Sequence, residues 1–331
     1  MRKILYGMGV SLLIAALCLG HAGPTLSANP KPVTIKSACF LPINHVVSSF
    51  IPPLIDRINK ACNGEVEWTL LGGPEVVPGL DQFEAVKRGT LDAGFVVAAD
   101  HAGRIPEAYA AALSRLEPWE ERESGFYDLF NKMHQEQNTY YLGRWHKMGF
   151  YIWTNEPAER LAELKGRKIR GGGTLYDPWF ENLGITGVQI PYPDVYTALQ
   201  RGVVDGFAWP MFGASDAGWL EVTKHCVEHE VFSSSDAVIL VNQRTWNKIP
   251  KPIQETIIKV CAEAEYDMVA HYAKMHDQEK EKALKARVKF IKLPPDEAEQ
   301  YVNMAYEGGW SFVKKKVDPE RLNQLRKTLS K

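Results

Sequence analysis

The chain repeats itself once, at long range. Asp81-Gln-Phe-Glu-Ala-Val-Lys-Arg-Gly-Thr-Leu-Asp92-Ala93 is echoed by Asp194-Val-Tyr-Thr-Ala-Leu-Gln-Arg-Gly-Val-Val-Asp205-Gly206. The shared pattern is D-x-[FY]-x-A-[VL]-x-R-G-x-[LV]-D-[AG]. Each copy reads as a short amphipathic helix, stopped by Gly89 or Gly202, then a short strand. The copies lie 113 residues apart, far beyond the period of a stacked-repeat protein. Such spacing suits two lobes that share one supersecondary unit.

The surroundings of the first copy agree. Val33 to Ala38 reads as a strand, Ser48 to Cys62 as a helix and Glu65 to Leu71 as a second strand, an alternation that points to α/β architecture. From Pro252 to about Arg287 a single very long helix is expected. Pro252 sits in its first turn, and Ile253, Ile257, Val260, Cys261, Ala264, Met268 and Tyr272 recur at spacings of three and four. A helix of that length suits a brace across two lobes better than a coiled-coil arm, because no leucine seam is sustained.

Met1-Arg2-Lys3 followed by an apolar run to Leu19 has the shape of a secretory signal peptide, with cleavage after Ala22 or Ala28. The run is short for a membrane span, and no other long apolar run follows. About 300 residues remain, enough for one large domain or two lobes. The formal net charge of -1, with no basic tail or acidic block, offers nothing to nucleic acid or an anionic membrane. An oxidising compartment permits disulfides among Cys39, Cys62, Cys226 and Cys261, and all three pairings stay open.

Leu164-Lys-Gly-Arg-Lys-Ile-Arg170-Gly-Gly-Gly173 reads as a turn, a short strand and a glycine run. Lys168 and Arg170 alternate about Ile169 and share a face. The glycines let a ligand approach the backbone, and a guanidinium binds a carboxylate bidentately. The run lacks the Lys-Ser/Thr of a phosphate loop. His225-Cys-Val-Glu228-His229 matches an H-x-x-E-H zinc-protease string, but no helical stretch surrounds it and no third ligand is evident. No G-x-S-x-G elbow occurs. Aromatics gather from Trp145 to Trp219, mostly as core, with some suited to pocket walls.

Taken together, these segments resemble the solute-binding proteins of TRAP transporters, of the DctP type. The likeness is carried by Leu164 to Arg170, by Tyr192-Pro-Asp-Val-Tyr-Thr-Ala-Leu-Gln-Arg-Gly-Val-Val-Asp-Gly206, by the copy at Asp81 to Ala93, by Val241-Asn242 followed by Trp246 and Pro250, and by the long helix. It covers nearly the whole chain after the leader. The resemblance implies an α/β, two-lobed periplasmic-binding-protein-like fold with a long helix spanning both lobes. It implies a binding protein rather than an enzyme. No cofactor or metal is expected. The implied role is periplasmic capture of an organic acid and delivery to the membrane permease subunits of an ion-driven transporter. Residues 1–28 would be the leader, 29–147 with about 238–275 the first lobe, and 148–237 with about 276–331 the second. Arg170 stands where the family's carboxylate-binding arginine stands, and Tyr192 where an aromatic packs beside it.

Two departures shape the expected ligand. Where the family often has Gly-Gln-Glu-Asn-Pro, this chain has Gly206-Phe-Ala-Trp209-Pro210. Where a second arginine often precedes Leu-Lys-Gly, it has Gly149-Phe150-Tyr151-Ile152-Trp153. Both remove polar partners and add apolar surface. The expected ligand is a monocarboxylate with an apolar, aromatic body, held by Arg170 and walled by Tyr192, Trp209 and Tyr151, with Phe40, His45 or Asp100 from the first lobe. A C4-dicarboxylate or sugar acid would need a compensating base such as Arg104 or Arg144. The remaining alternatives are a sensor accessory and a hydrolase built on His225, Glu228 and His229.

Overall fold

The computed structural model describes residues 31–171, 175–234 and 236–329. The expected leader, and Gly172 and Gly173 of the glycine run, lie outside the described residues. Among the described residues eleven strands form two sheets. They are β1 (Val33–Cys39), β2 (Val66–Gly72), β3 (Ala93–Val97), β4 (Thr139–Arg144), β5 (Phe150–Thr154), β6 (Lys168–Arg170), β7 (Thr186–Val188), β8 (Gly206–Trp209), β9 (His225–Val231), β10 (Ala237–Asn242) and β11 (Lys289–Ile291). The first sheet has the order β2-β1-β3-β10-β4, and the second β11-β9-β5-β8-β6-β7.

The sequence echo is the visible end of a larger repeated unit. β1, the Ile51–Ala61 helix, β2, the Gln82–Arg88 helix and β3 follow one another in the first sheet. β6, the Asp177–Leu183 helix, β7, the Val195–Gln200 helix and β8 do the same in the second. In both, the first strand of the unit lies parallel between the other two. The repeated aspartates explain why the motif ends as it does. Asp92 Oδ2 accepts from the backbone N–H of Lys36, and its own N–H donates to the carbonyl of Lys36. Asp205 makes the same two bonds with Lys168, at 2.8 and 2.7 Å. Each aspartate thus fixes the register of a third strand on the first. The glycines before them hold a left-handed backbone, φ +83° at Gly89 and +66° at Gly202, which ends the helix at no steric cost.

The chain crosses between sheets at residues 145–149 and 232–236, so β10 returns antiparallel between β3 and β4. A third tie is the Lys251–Lys285 helix, 35 residues long. Ile257 to Met275 pack it into the core under the first sheet, while Ala283 enters the core under the second. The long brace expected from the heptad-free apolar stripe is therefore present, and the fold is two-lobed α/β. A central core fills the space between the inner faces and takes residues from both sheets. The C-terminal Pro319–Leu329 helix packs on the Phe126–Gln135 helix at the first sheet. The four cysteines among the described residues are buried free thiols, and burial pushes Cys39 and Cys62 up to about 11 and Cys261 to about 12. Among the described residues no helix is long and apolar enough to cross a membrane.

The one difference at the end of the motif, Ala93 against Gly206, has a packing cause. A Cβ on Gly206 would lie 2.0 Å from the Trp153 carbonyl on β5. Gly206→Ala is therefore expected to destabilise the chain by about 1–3 kcal/mol through overpacking. Gly202→Ala, where a Cβ meets open space, should cost only about 1–2 kcal/mol of backbone strain. Urea unfolding of the two variants tests this ranking.

Candidate functional site

In open α/β sheets, ligands bind where parallel strands end and the connections part. Here the carboxyl ends of both repeated units open onto one cavity of about 580 Å³. That volume is within the range of small-molecule sites, roughly 300–1,000 Å³. Phe40 and Leu41 enter after β1, Val97 and Asp100 after β3, Arg170 at the end of β6, and Trp209 and Pro210 at the end of β8. The first crossover adds His146 and Met148, the start of β5 adds Phe150, and the second crossover adds Asp236. Tyr176 and Gln189 complete the polar part of the lining.

Arg170 is the cation of this cavity. Its Nε donates to the Ile190 carbonyl at 3.1 Å, and its guanidinium carbon stands 5.0 Å from the centre of the Trp209 ring and 5.9 Å from that of Trp219. Among the described residues no carboxylate pairs with it. Burial accordingly pulls its pKa below the usual arginine range. One nitrogen and one ring face are thus used to orient the group. The Nη nitrogens have no hydrogen bond to any described residue, which leaves a fork of donors for an anion.

Trp209 is itself fixed, since its Nε1 donates to the Phe212 carbonyl at 2.9 Å. Tyr192 stacks at an angle on Trp209 and Trp219, with centroids 5.8 and 5.0 Å away. It backs the Arg170 wall rather than lining the cavity. His45 does not line it either. Its ring meets Tyr192 edge-on at 6.1 Å, a contact between the first and second halves of the fold.

Phe40, Asp100, Arg170 and Trp209 therefore come together as expected from sequence, and Tyr151 does not. Successive side chains on a strand face opposite ways. Phe150 and Ile152 enter the central core side, Tyr151 and Trp153 the outer one. Tyr151 lines a separate cleft against the long helix, where its hydroxyl meets His276 Nε2 at 3.1 Å. Phe150 takes the wall position given to it. Arg104 is on the surface with Glu84, and Arg144 is buried against Glu121, so neither lines the cavity. His225, Glu228 and His229 lie on β9, a strand rather than a loop beside one. Glu228 pairs with Lys280, and His229 accepts from the Leu293 N–H. Among the described residues no group could hold a metal ion.

Asp236 and His146 were not anticipated from sequence. Asp236 is 2 % exposed, and its Oδ2 accepts from the Ala99 N–H at 2.9 Å. Asp100 lines the cavity with an exposed side chain, so solvent screens its interactions in part. Partial desolvation, then the Asp236 charge, push its pKa up to about 7. Burial also raises Asp236, while the Ala99 N–H and Arg144 draw it back. Asp100 was expected as a first-lobe contributor, whereas Asp236 had no sequence signal. They meet only because the second crossover runs past the end of β3.

The Asp100 shift carries a sign for stability. Its folded pKa is raised, so between about 4 and 7 the folded state holds a proton that the unfolded state has released. Stability contributed by this group therefore falls as pH rises through that window. Asp100→Asn is expected to raise the melting temperature at pH 8, by about 2 °C per kcal/mol relieved. At pH 4 it should leave it unchanged. Scanning calorimetry at both pH values reads the difference.

Comparison with known proteins agrees with this geometry. Residues 40–308 match the family described as bacterial extracellular solute-binding protein, family 7 (DctP). The Desulfovibrio salexigens TRAP periplasmic solute-binding protein, solved with bound orotic acid, superimposes with a TM-score of 0.78 at 20% identity, covering 89% of this chain and 96% of that one. The monocarboxylate 2-oxoacid-binding periplasmic protein of Nostoc sp. is 26% identical over 71% of this chain and 67% of its own length. An uncharacterised Haemophilus influenzae protein is 30% identical, but the match spans only 35% of this chain and 37% of that protein. With a family match over most of its length, the chain belongs to the DctP family of extracellular solute-binding proteins.

Proposed function

We propose that the protein is exported, binds a monocarboxylate with an apolar, aromatic body in the Arg170 cavity, and delivers it to the permease subunits of a TRAP-type, ion-driven transporter. The observation that carries the ligand class is Arg170 itself. Among the described residues it is the only Lys or Arg lining the cavity, and its Nη donors are uncommitted. One cation matches one carboxylate. A dicarboxylate would leave a second anion near Asp100 and Asp236, with Arg104 and Arg144 already held by Glu84 and Glu121.

Phe40, Phe150, Tyr176 and Trp209 supply the flat apolar walls for a ring. The magnitudes are consistent. A dissociation constant of 1 μM corresponds to about 8.2 kcal/mol, and a charge-assisted hydrogen bond contributes roughly 1.5–3 kcal/mol. Burial of the body must provide much of the remainder. The orotic acid held by the Desulfovibrio protein and the monocarboxylate 2-oxoacids named for the Nostoc one share with the proposed ligand a single carboxylate. The leader-like first residues and the extracellular character of the family support export.

Calorimetric titration with the acids that most raise the melting temperature tests the anchor. Arg170→Ala should weaken binding by about 100-fold or more, and Arg170→Lys nearly as much, because an ammonium cannot reproduce the bidentate fork. Undiminished affinity in Arg170→Ala would remove the anchor. In the same thermal-shift panel, aromatic monoacids should stabilise the protein more than succinate or malate, and the reverse order would overturn the ligand class.

A further inference from the structure

We propose that Asp100 and Asp236 form the second pole of the ligand site and select acids whose ring bears an N–H donor. This inference rests on the reading of Arg170 as the carboxylate anchor. The two acids are held together by backbone. The carbonyl of Asp236 accepts from the Ala98 N–H at 2.7 Å and its carboxylate from the Ala99 N–H at 2.9 Å, and Asp100 follows directly. Both line the cavity into which Arg170 projects.

Nothing already bound to the protein uses this pole. The described residues give Asp100 no ion pair, and Asp236 spends one oxygen on a backbone N–H. His146, 4 % exposed and also in the lining, has an Nδ1 without a hydrogen-bond partner among the described residues. Burial and Arg144 hold this imidazole near a pKa of about 3, so it stays neutral and adds no cation. Like charges this close do not both ionise readily. Arg144 and the Ala99 N–H favour the charge on Asp236 against its burial, and that charge in turn raises Asp100.

An ionised carboxylate accepts hydrogen bonds and cannot donate them, so the selection is read at pH 8, above the Asp100 transition. There a ligand that turns an ether or carbonyl oxygen toward this pole leaves acceptors facing the buried Asp236, whereas a ring N–H fills it. Arg170 at the end of β6 and the acid pair beyond β3, lining one cavity, therefore fit a molecule with a carboxylate and an N–H on a flat ring. The 2-oxoacids named for the Nostoc relative carry a carbonyl acceptor instead, so the two proteins would differ in ligand.

Isosteric acid pairs that exchange N–H for O test this directly. Pyrrole-2-carboxylate against furan-2-carboxylate, and indole-2-carboxylate against benzofuran-2-carboxylate, are titrated into the full chain, Asp100→Ala and Asp236→Asn. The N–H member should bind the native chain more than about tenfold tighter, and Asp100→Ala should reduce that preference to within about threefold. Asp100 opens onto the cavity rather than into the core, and its variant's melting curve verifies folding. Equal binding of both members, or a preference unchanged in Asp100→Ala and Asp236→Asn, overturns the proposal. Failure of the anchor reading looks different: both members would then bind Arg170→Ala as tightly as the native chain.

Discussion

A partly buried guanidinium without a carboxylate is costly, and the cavity is arranged around one. Among the described residues Arg170 loses water without gaining an ion pair. What offsets this is partial: the Ile190 carbonyl on Nε and the Trp209 face at 5.0 Å. Both contacts orient the group while leaving its outer nitrogens available. Trp209 thus has two tasks. It walls the cavity, and its ring face holds the guanidinium in place.

The duplicated unit brings this arginine opposite its counterpart loops. Asp92 and Asp205 fasten the third strand of each unit to the first, so the carboxyl ends of β1, β3, β6 and β8 are set by the same local bonds in both halves. The two crossovers and the long helix then join the halves around a common cavity. The units are alike in backbone but not in side chains. The second offers Arg170 and Trp209, and the first offers Phe40 and Asp100. Charge polarity in the site follows from that division.

Much of this was legible in the sequence, and the reasons it stopped are physical. Spacing revealed the repeated helix–glycine–strand unit because both copies need the same left-handed glycine and the same aspartate. The long helix showed in its three-and-four periodicity. Tyr151 was misplaced because Phe150 to Thr154 is buried on both faces, so hydrophobic alternation has no phase to read. His225 and His229 looked like a metal pair only under helical spacing. On β9 a four-residue step spans roughly 13 Å. Asp236 was invisible because its importance lies in a neighbour 136 residues away, and a loop aspartate has no periodicity.

Arg170 is proposed to take the ligand carboxylate, and a crystal structure of the protein with an aromatic monoacid bound would show it. Both carboxylate oxygens are expected within about 3 Å of the Arg170 guanidinium, with the ring between Phe40 and Trp209 and any N–H directed at Asp100 and Asp236. A carboxylate seated elsewhere in the cavity, with the Arg170 donors turned to solvent or protein, would contradict it.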